Sequence, residues 1–282
     1  MSANSATPAR TEWIDLRRDP HPDVLDRIEA AFSLRLDRAA IIHGNYGVTE
    51  GSQTNQNTWV RIQRRPRGRI NDQAWIGAES SSTVTGVPRP DWYRATVWTD
   101  TDRDVVWRAD EMQLITSPVI GRARASAGLS ASWWSELRGA LSRLSEHQTH
   151  RIGMRQEHLT KRIHDVFPDV DTTVDDWCTA HADLHWDNVT VDGDLLDWED
   201  WGRAPRGLDA AYLWGASLED PELAARVLDV FASDLRSRSG MLVRLLFCAN
   251  VIRIAKRSGR ETTLRAIAER SASQLLAQLG HA

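Results

Sequence analysis

Residues 181–202, HADLHWDNVTVDGDLLDWEDWG, carry six Asp and one Glu in 22 positions, threaded through Val189, Val191, Leu195 and Leu196. Acids at that density ordinarily decorate a solvated loop, whereas the aliphatic residues ask for a packed interior. A fold that satisfies both must lay a loop and a hairpin against a core. The pattern fits this: HADLHWDN is a loop, the segments on either side of DGD read as strands, and DGD is the turn between them. Such a hairpin brings Asn188, before its first strand, close to Asp197, at the end of its second. Asp183 and Asp197 are flanked by apolar residues that would bury them. Asp187, Asp192 and Asp194 read as turn acids.

An Asn carbonyl and a carboxylate make an oxygen pair suited to Mg²⁺, which takes few hard protein ligands and keeps water or phosphate for the rest. Asp183 precedes Asn188 by five residues and is placed to face the same point as a general base. Together these residues describe a site for moving a phosphoryl group to a hydroxyl. A competing pattern lies in the same stretch. His181, Asp183 and His185 alternate, so on a strand all three would share one side and could bind Zn²⁺, as in a metallohydrolase.

The rest of the chain supplies a setting. Val24, Ile28 and Phe32 have helical spacing, and residues 36–64 combine short apolar runs with Gly44, Gly47 and Gly51, as strands joined by glycine turns do. A short helix is expected over NDQAWIGAESSSTV, with Trp75, Ala78 and Val84 inward. Two more strands follow, WYRATVW and VVWRADEMQLI, and then a connector, TSPVIGRARASAG. Beyond it, Leu129, Trp133, Leu137, Leu141 and Leu144 form a helical stripe, and helices resume after the acidic segment, with Asp209 and Asp220 as candidate caps. The division expected is an N-terminal extension with a helix at 1–35, a β-rich part at 36–118 and a mainly helical part at 119–282.

H-x-D-L-H-x-x-N followed by D-W-E, and then by the D-A-A helix start at Asp209, resembles the catalytic loop of the aminoglycoside phosphotransferase and choline kinase family, which has the protein-kinase-like fold. The resemblance is strong across 181–214 and weak elsewhere. It implies an α+β, two-lobed fold with a β-rich N-lobe and a mainly helical C-lobe. It also implies transfer from ATP (or GTP), with Mg²⁺, to a small-molecule hydroxyl acceptor. Carried over by position, Asp183 is the catalytic base, Asn188 and Asp197 are the metal ligands, and His181, His185 and Asp209 support the loop. The family's strand lysine is absent, since the chain has Lys only at 161 and 256. Arg61 in TWVRIQRR is the nearest substitute, with Glu79 as its partner, although an arginine fork does not replace an ammonium without consequence. Gly47 and Gly51 fall where the phosphate-covering turn is expected. That missing lysine and the poor glycine pattern leave an alternative: a catalytically weak or inactive nucleotide-binding relative with a regulatory role.

Composition closes off other classes. A net charge of -4 argues against a nucleic-acid partner, which would require a basic stripe. Two cysteines make neither a disulfide framework nor a four-cysteine zinc site. The start of the chain has no apolar leader, and MLVRLLFCANVIRI is broken by Arg244, Asn250 and Arg253, so a cytoplasmic protein without membrane contact is expected. Trp186 and Trp201 flank the acids, as pocket walls or as core, with core the commoner fate. The acceptor and the oligomeric state are not encoded legibly.

Overall fold

The computed structural model describes residues 14–70, 72–121, 128–259 and 262–280. The expectation of no apolar leader falls on residues 1–13, which, with positions 122–127 of the connector, lie outside the described residues. Two compact units are present, Met1–Ile70 with Trp92–Leu114, and Asn71–Asp91 with Ile115–Ala282.

The first unit is built on an antiparallel sheet of β1 (Ile42–His43), β2 (Thr49–Gln53), β3 (Thr58–Pro66), β4 (Trp92–Asp100) and β5 (Val105–Gln113), in the order β1-β2-β3-β5-β4. On β3 and β5, Val60, Ile62, Val105, Trp107 and Ala109 recur at alternate positions and form one apolar face. Helix α1 (Pro22–Phe32) covers that face with Val24, Leu25, Ile28 and Phe32. Pro22 pre-sets the first turn, and left-handed Ser33 ends the helix. The helix of the expected 1–35 extension therefore belongs to this core, to which it contributes four of the twelve buried residues of the cluster. Arg61 alternates with Val60 and Ile62 and so belongs to the opposite face, where its register partner is Asp110. Asp110 is buried, bonded to Arg108 Nη2 at 2.5 Å and to Trp92 Nε1 at 2.9 Å.

The second unit is mainly helical. Ser130 caps the Ala131–Glu146 helix by accepting from Trp133 N–H, and Trp133, Leu137 and Leu144 point inward as their spacing requires. Asp220 caps Pro221–Val230 in the same manner. The central helix is Arg238–Ser258, whose Leu242, Leu245, Leu246, Cys248 and Ile252 are buried. It runs so close to the Leu208–Ala216 helix that a Cβ on Gly215 would overlap the Phe247 ring. No described helix is long and apolar enough to cross a membrane. Cys178 and Cys248 are free, and burial pushes both thiols up to about 12.

Residues 71–91 were expected with the strands but pack with the helices. Val84 and Val87 sit in the helical core, and Leu195 N–H donates to the Pro88 carbonyl at 3.0 Å. The helix expected there is split into Asp72–Trp75 and Gly77–Ser81, and Glu79 lies on the second piece.

Candidate functional site

The acidic segment is closed at its neck by a two-stranded antiparallel ribbon, β6 (Trp177–Ala180) with β7 (Gly202–Pro205), in which Ala180 faces Gly202. Between these strands Leu184, Trp186, Val189, Leu195, Trp198 and Trp201 are all buried. Their burial fixes a loop whose intervening residues are polar. The expected hairpin is smaller than the sequence implied: Val189 and Leu195 form a single bridge, with Gly193 at φ 91° in the turn. Pairing shifts to β6 and β7 because both partners there extend over four residues. The hairpin still brings Asn188 to the end of its second arm, where Leu196 N–H donates to the Asn188 carbonyl at 2.8 Å.

Asn188 Nδ2 donates to the Asp183 carbonyl at 2.9 Å. That bond orients the amide and leaves its Oδ1 without a protein donor among the described residues. Asp183 is half-buried, and burial pushes its carboxyl up to about 6; nearby His185 opposes this, and the charges of Asp197 and Asp200 add to it.

Asp197 differs from the expectation that its apolar neighbours would bury it. It is exposed, because Leu195 and Trp198 take the interior positions and a left-handed backbone at φ 61° turns Asp197 outward. Such a conformation costs a non-glycine residue roughly 1–2 kcal/mol and persists only where its surroundings hold it. Here they do. His181, with no exposed surface, meets the Leu196 carbonyl through Nε2 at 2.7 Å, and its ring packs edge-on to Trp198 at 4.9 Å. Since a carbonyl only accepts, Nε2 carries the proton. Burial pushes His181 down to about 4, so the ring is neutral.

Ala182 is also left-handed, at φ 67°. Asp209 restrains it: its carboxylate accepts His181 N–H at 2.8 Å and Ala182 N–H at 2.9 Å. Asp209 was read as a cap for its own helix, but that helix begins at left-handed Gly207 and has no side-chain cap, leaving the carboxylate to bond across to the loop.

The zinc pattern is not assembled. Among the described residues no three His, Cys, Asp or Glu side chains converge on a point that could hold a metal. His181 Nε2 is engaged with a carbonyl, and His185 Nδ1 accepts Asp187 N–H at 3.2 Å. The oxygen pair of Asn188 and Asp197 is a different donor set. A hard cation completed by phosphate and water needs only two protein oxygens. The amide orientation and the exposure of Asp197 fit that requirement.

In the first unit, Arg61 pairs with Gly51 across β2 and β3. A Cβ on Gly51 would run into the Trp59 indole, so this glycine makes room for a ring. Gly47 has φ 63° and abuts Asp15, and its carbonyl accepts Leu16 N–H at 2.9 Å. Trp186 and Trp201 are core residues, each 1% exposed. Sequence reasoning did not single out Arg151, which donates to three backbone carbonyls around Trp201. It carries no local motif, and its partners lie far away in sequence.

Residues 118–241 match the model of the phosphotransferase enzyme family. No curated protein matches the chain by sequence. Solved structures match over nearly the whole length at low identity. A thermostable aminoglycoside phosphotransferase APH(4)-Ia in ternary complex with AMP-PNP and hygromycin B is 8% identical, with a TM-score of 0.60, covering 92% of this chain and 99% of that one. Amicoumacin kinase hAmiN, in complex with AMP-PNP, Ca²⁺ and Ami, is 12% identical at a TM-score of 0.54, covering 91% and 96%. A choline/ethanolamine kinase family protein from Mesorhizobium loti is 13% identical at 0.54, covering 92% and 94%. The family resemblance is thus carried by residues 118–241, and the two-lobed fold, with a β-rich and a mostly helical lobe, is that of these solved structures.

Proposed function

We propose that this chain, a protein of the aminoglycoside phosphotransferase and choline kinase fold, transfers the γ-phosphoryl group of ATP or GTP to a hydroxyl of a small molecule. Asp183 orients the acceptor hydroxyl and takes its proton, for which a half-buried carboxylate is suited. Asn188 and Asp197 hold Mg²⁺, which when bound neutralises phosphate charge. Arg61, with Glu79, grips the phosphates, and the turn holding Gly47 and Gly51 covers them. His181 and Asp209 keep the loop in its strained form, and His185 shapes its outer side. Catalysis of this kind is positioning and charge neutralisation with little covalent work for the protein.

One observation supports this reading above the others. Asn188 is bonded to Asp183 through its side chain and, through its carbonyl, to Leu196, the residue before Asp197, which supports a shared site for the proposed base and the two proposed oxygen ligands. The absent strand lysine favours the alternative of a weak or inactive nucleotide-binding relative. Two variants decide between them. Asp197→Asn is expected to weaken Mg²⁺-dependent nucleotide binding and abolish transfer. Asp183→Asn is expected to keep nucleotide affinity but lower transfer by at least ~10²-fold, the lower end of a general base's contribution. Calorimetry with AMP-PNP reads the first quantity, and ADP release across a panel of hydroxyl acceptors reads the second. Nucleotide binding with no Asp183-dependent turnover for any acceptor would establish the alternative.

A further inference from the structure

Arg151 is half-buried and directs its guanidinium at backbone. Nη1 donates to the Gln73 carbonyl at 2.7 Å, Nη2 to Glu199 at 2.8 Å and Nε to Trp201 at 2.9 Å. The same group stacks 4.8 Å above the Trp201 ring. Trp201 in turn donates from Nε1 to the Gly77 carbonyl at 3.0 Å. Gly77 lies so close to the loop backbone that a Cβ there would come within 2.6 Å of Glu199 Cα. Beside these contacts, Ile152 N–H donates to Gln73 Oε1 at 2.6 Å.

The pieces joined in this way are unequal. Asp72–Trp75 and Gly77–Ser81 are helices of four and five residues, too short to hold their shape unaided. Glu199 and Trp201 belong to the segment that leaves left-handed Asp197. A planar fork of fixed geometry satisfies three carbonyls at once, which a flexible ammonium does not.

We propose that Arg151, acting through Trp201, is a positioning residue that locks the Glu79-bearing turns to the segment following Asp197. The inference rests on the phosphotransferase reading above and adds a residue to it. The carboxylate proposed to pair with the phosphate-gripping cation and the carboxylate proposed to hold Mg²⁺ are then set in one frame before nucleotide arrives. Pre-setting them lowers the ordering cost of binding. Its signature is specific: disrupting the clamp reduces the gain in nucleotide affinity that Mg²⁺ provides, because that gain requires Asp197 to be correctly placed.

The test is calorimetric titration of the full chain with AMP-PNP, once with Mg²⁺ and once with EDTA, on wild type, Arg151→Ala, Arg151→Lys and Trp201→Phe. Melting curves establish which variants are folded. Trp201→Phe keeps an aromatic ring and removes one donor, so it carries the test if Arg151→Ala does not fold. The Mg²⁺-dependent gain in affinity is expected to fall about tenfold in Trp201→Phe, as the loss of one buried hydrogen bond implies. It should fall further in Arg151→Ala and by an intermediate factor in Arg151→Lys, while metal-free affinity, which depends on the Glu79 side of the frame alone, falls by a smaller factor. Folded variants that keep the wild-type gain, or that lose affinity equally with and without Mg²⁺, overturn the inference and leave Arg151 a structural residue. A wild-type chain with no Mg²⁺-dependent binding overturns the phosphotransferase reading itself.

Discussion

Asp209 is a buried carboxyl on which two opposed effects can be separated by experiment. It is 7% exposed and accepts two backbone N–H groups, His181 at 2.8 Å and Ala182 at 2.9 Å. Burial pushes the group up and the two bonds pull it down; burial wins, and the carboxyl rises from an ordinary 3.8 to about 6. At about 1.4 kcal/mol per tenfold change in proton affinity, that difference corresponds to about 3 kcal/mol. The sign follows from the direction. A folded state with the raised pKa holds its proton more tightly than the unfolded chain. The charge penalty is therefore fully present above pH 6 and is relieved as pH falls from about 6 to 3.8. Asp209→Asn cannot titrate, and its amide places a donor against one of the two N–H groups, at a cost of about 1–3 kcal/mol. Near pH 8 the variant's lost bond and the wild type's charge penalty are comparable, so the two proteins should have similar stability. Between pH 8 and pH 4.5 the gap should shift in the wild type's favour by about 2 kcal/mol, most of the full difference. Urea unfolding of both proteins at pH 8, 6 and 4.5, without nucleotide, measures this gap, and titrations common to both cancel in the difference. A gap that stays constant across those three pH values would refute the reasoning. It would mean that the two N–H bonds keep Asp209 ionised despite its burial.

Two further outcomes are expected. Arg61→Ala and Glu79→Ala should each weaken nucleotide affinity, and a double-mutant cycle should show a coupling of at least about 0.5 kcal/mol; additive effects would return both to ordinary surface charges. His21 presents one ring nitrogen to Glu50 at 2.7 Å and the other to the Asp19 carbonyl at 2.8 Å, and although burial works against its charge the acceptors prevail and raise its pKa. Its contribution to stability is fully present below about pH 6.5 and fades as pH rises through the elevated value, so chemical denaturation should show wild type losing ground to His21→Gln on alkalinisation, and a parallel pH dependence would count against the pair.

What could be read from the sequence follows from how far apart the interacting residues are. The inward positions of Trp133, Leu137 and Leu144 are set by periodicity within one helix, and the alternation on β3 and β5 is equally local. Asn188 and Leu196 meet across a hairpin only a few residues long, so their approach was legible. The placement of residues 71–91 was not, because it depends on contacts such as Trp201 to Gly77, which are 124 residues apart. Nothing near Arg151 marks it among the chain's many arginines for the same reason. Asp197 was misjudged on burial for a different reason. Apolar neighbours predict burial only if the strand alternation continues, and a left-handed residue interrupts it.

The two left-handed non-glycine residues of the loop, Ala182 and Asp197, stand next to the proposed base and at the proposed metal ligand. Each costs roughly 1–2 kcal/mol relative to a relaxed backbone, a small sum beside the buried Trp, Leu and Val residues that fix the loop. Neither conformation is held by its own residue. Asp209 bonds the N–H of Ala182, while His181 bonds the carbonyl just before Asp197 and packs against the Trp198 just after it. His181 is also the second residue Asp209 grips, through its N–H. One carboxylate on the Leu208–Ala216 helix therefore reaches both strained points, the first directly and the second through a neutral imidazole. Loss of Asp209 should on this account disturb Asp183 and Asp197 together, whereas loss of the His181 ring should disturb Asp197 alone. The acids of the segment can sit beside a hydrophobic core because most of the loop is fixed by apolar burial, and the few left-handed turns that aim its carboxylates are each held by a buried polar partner.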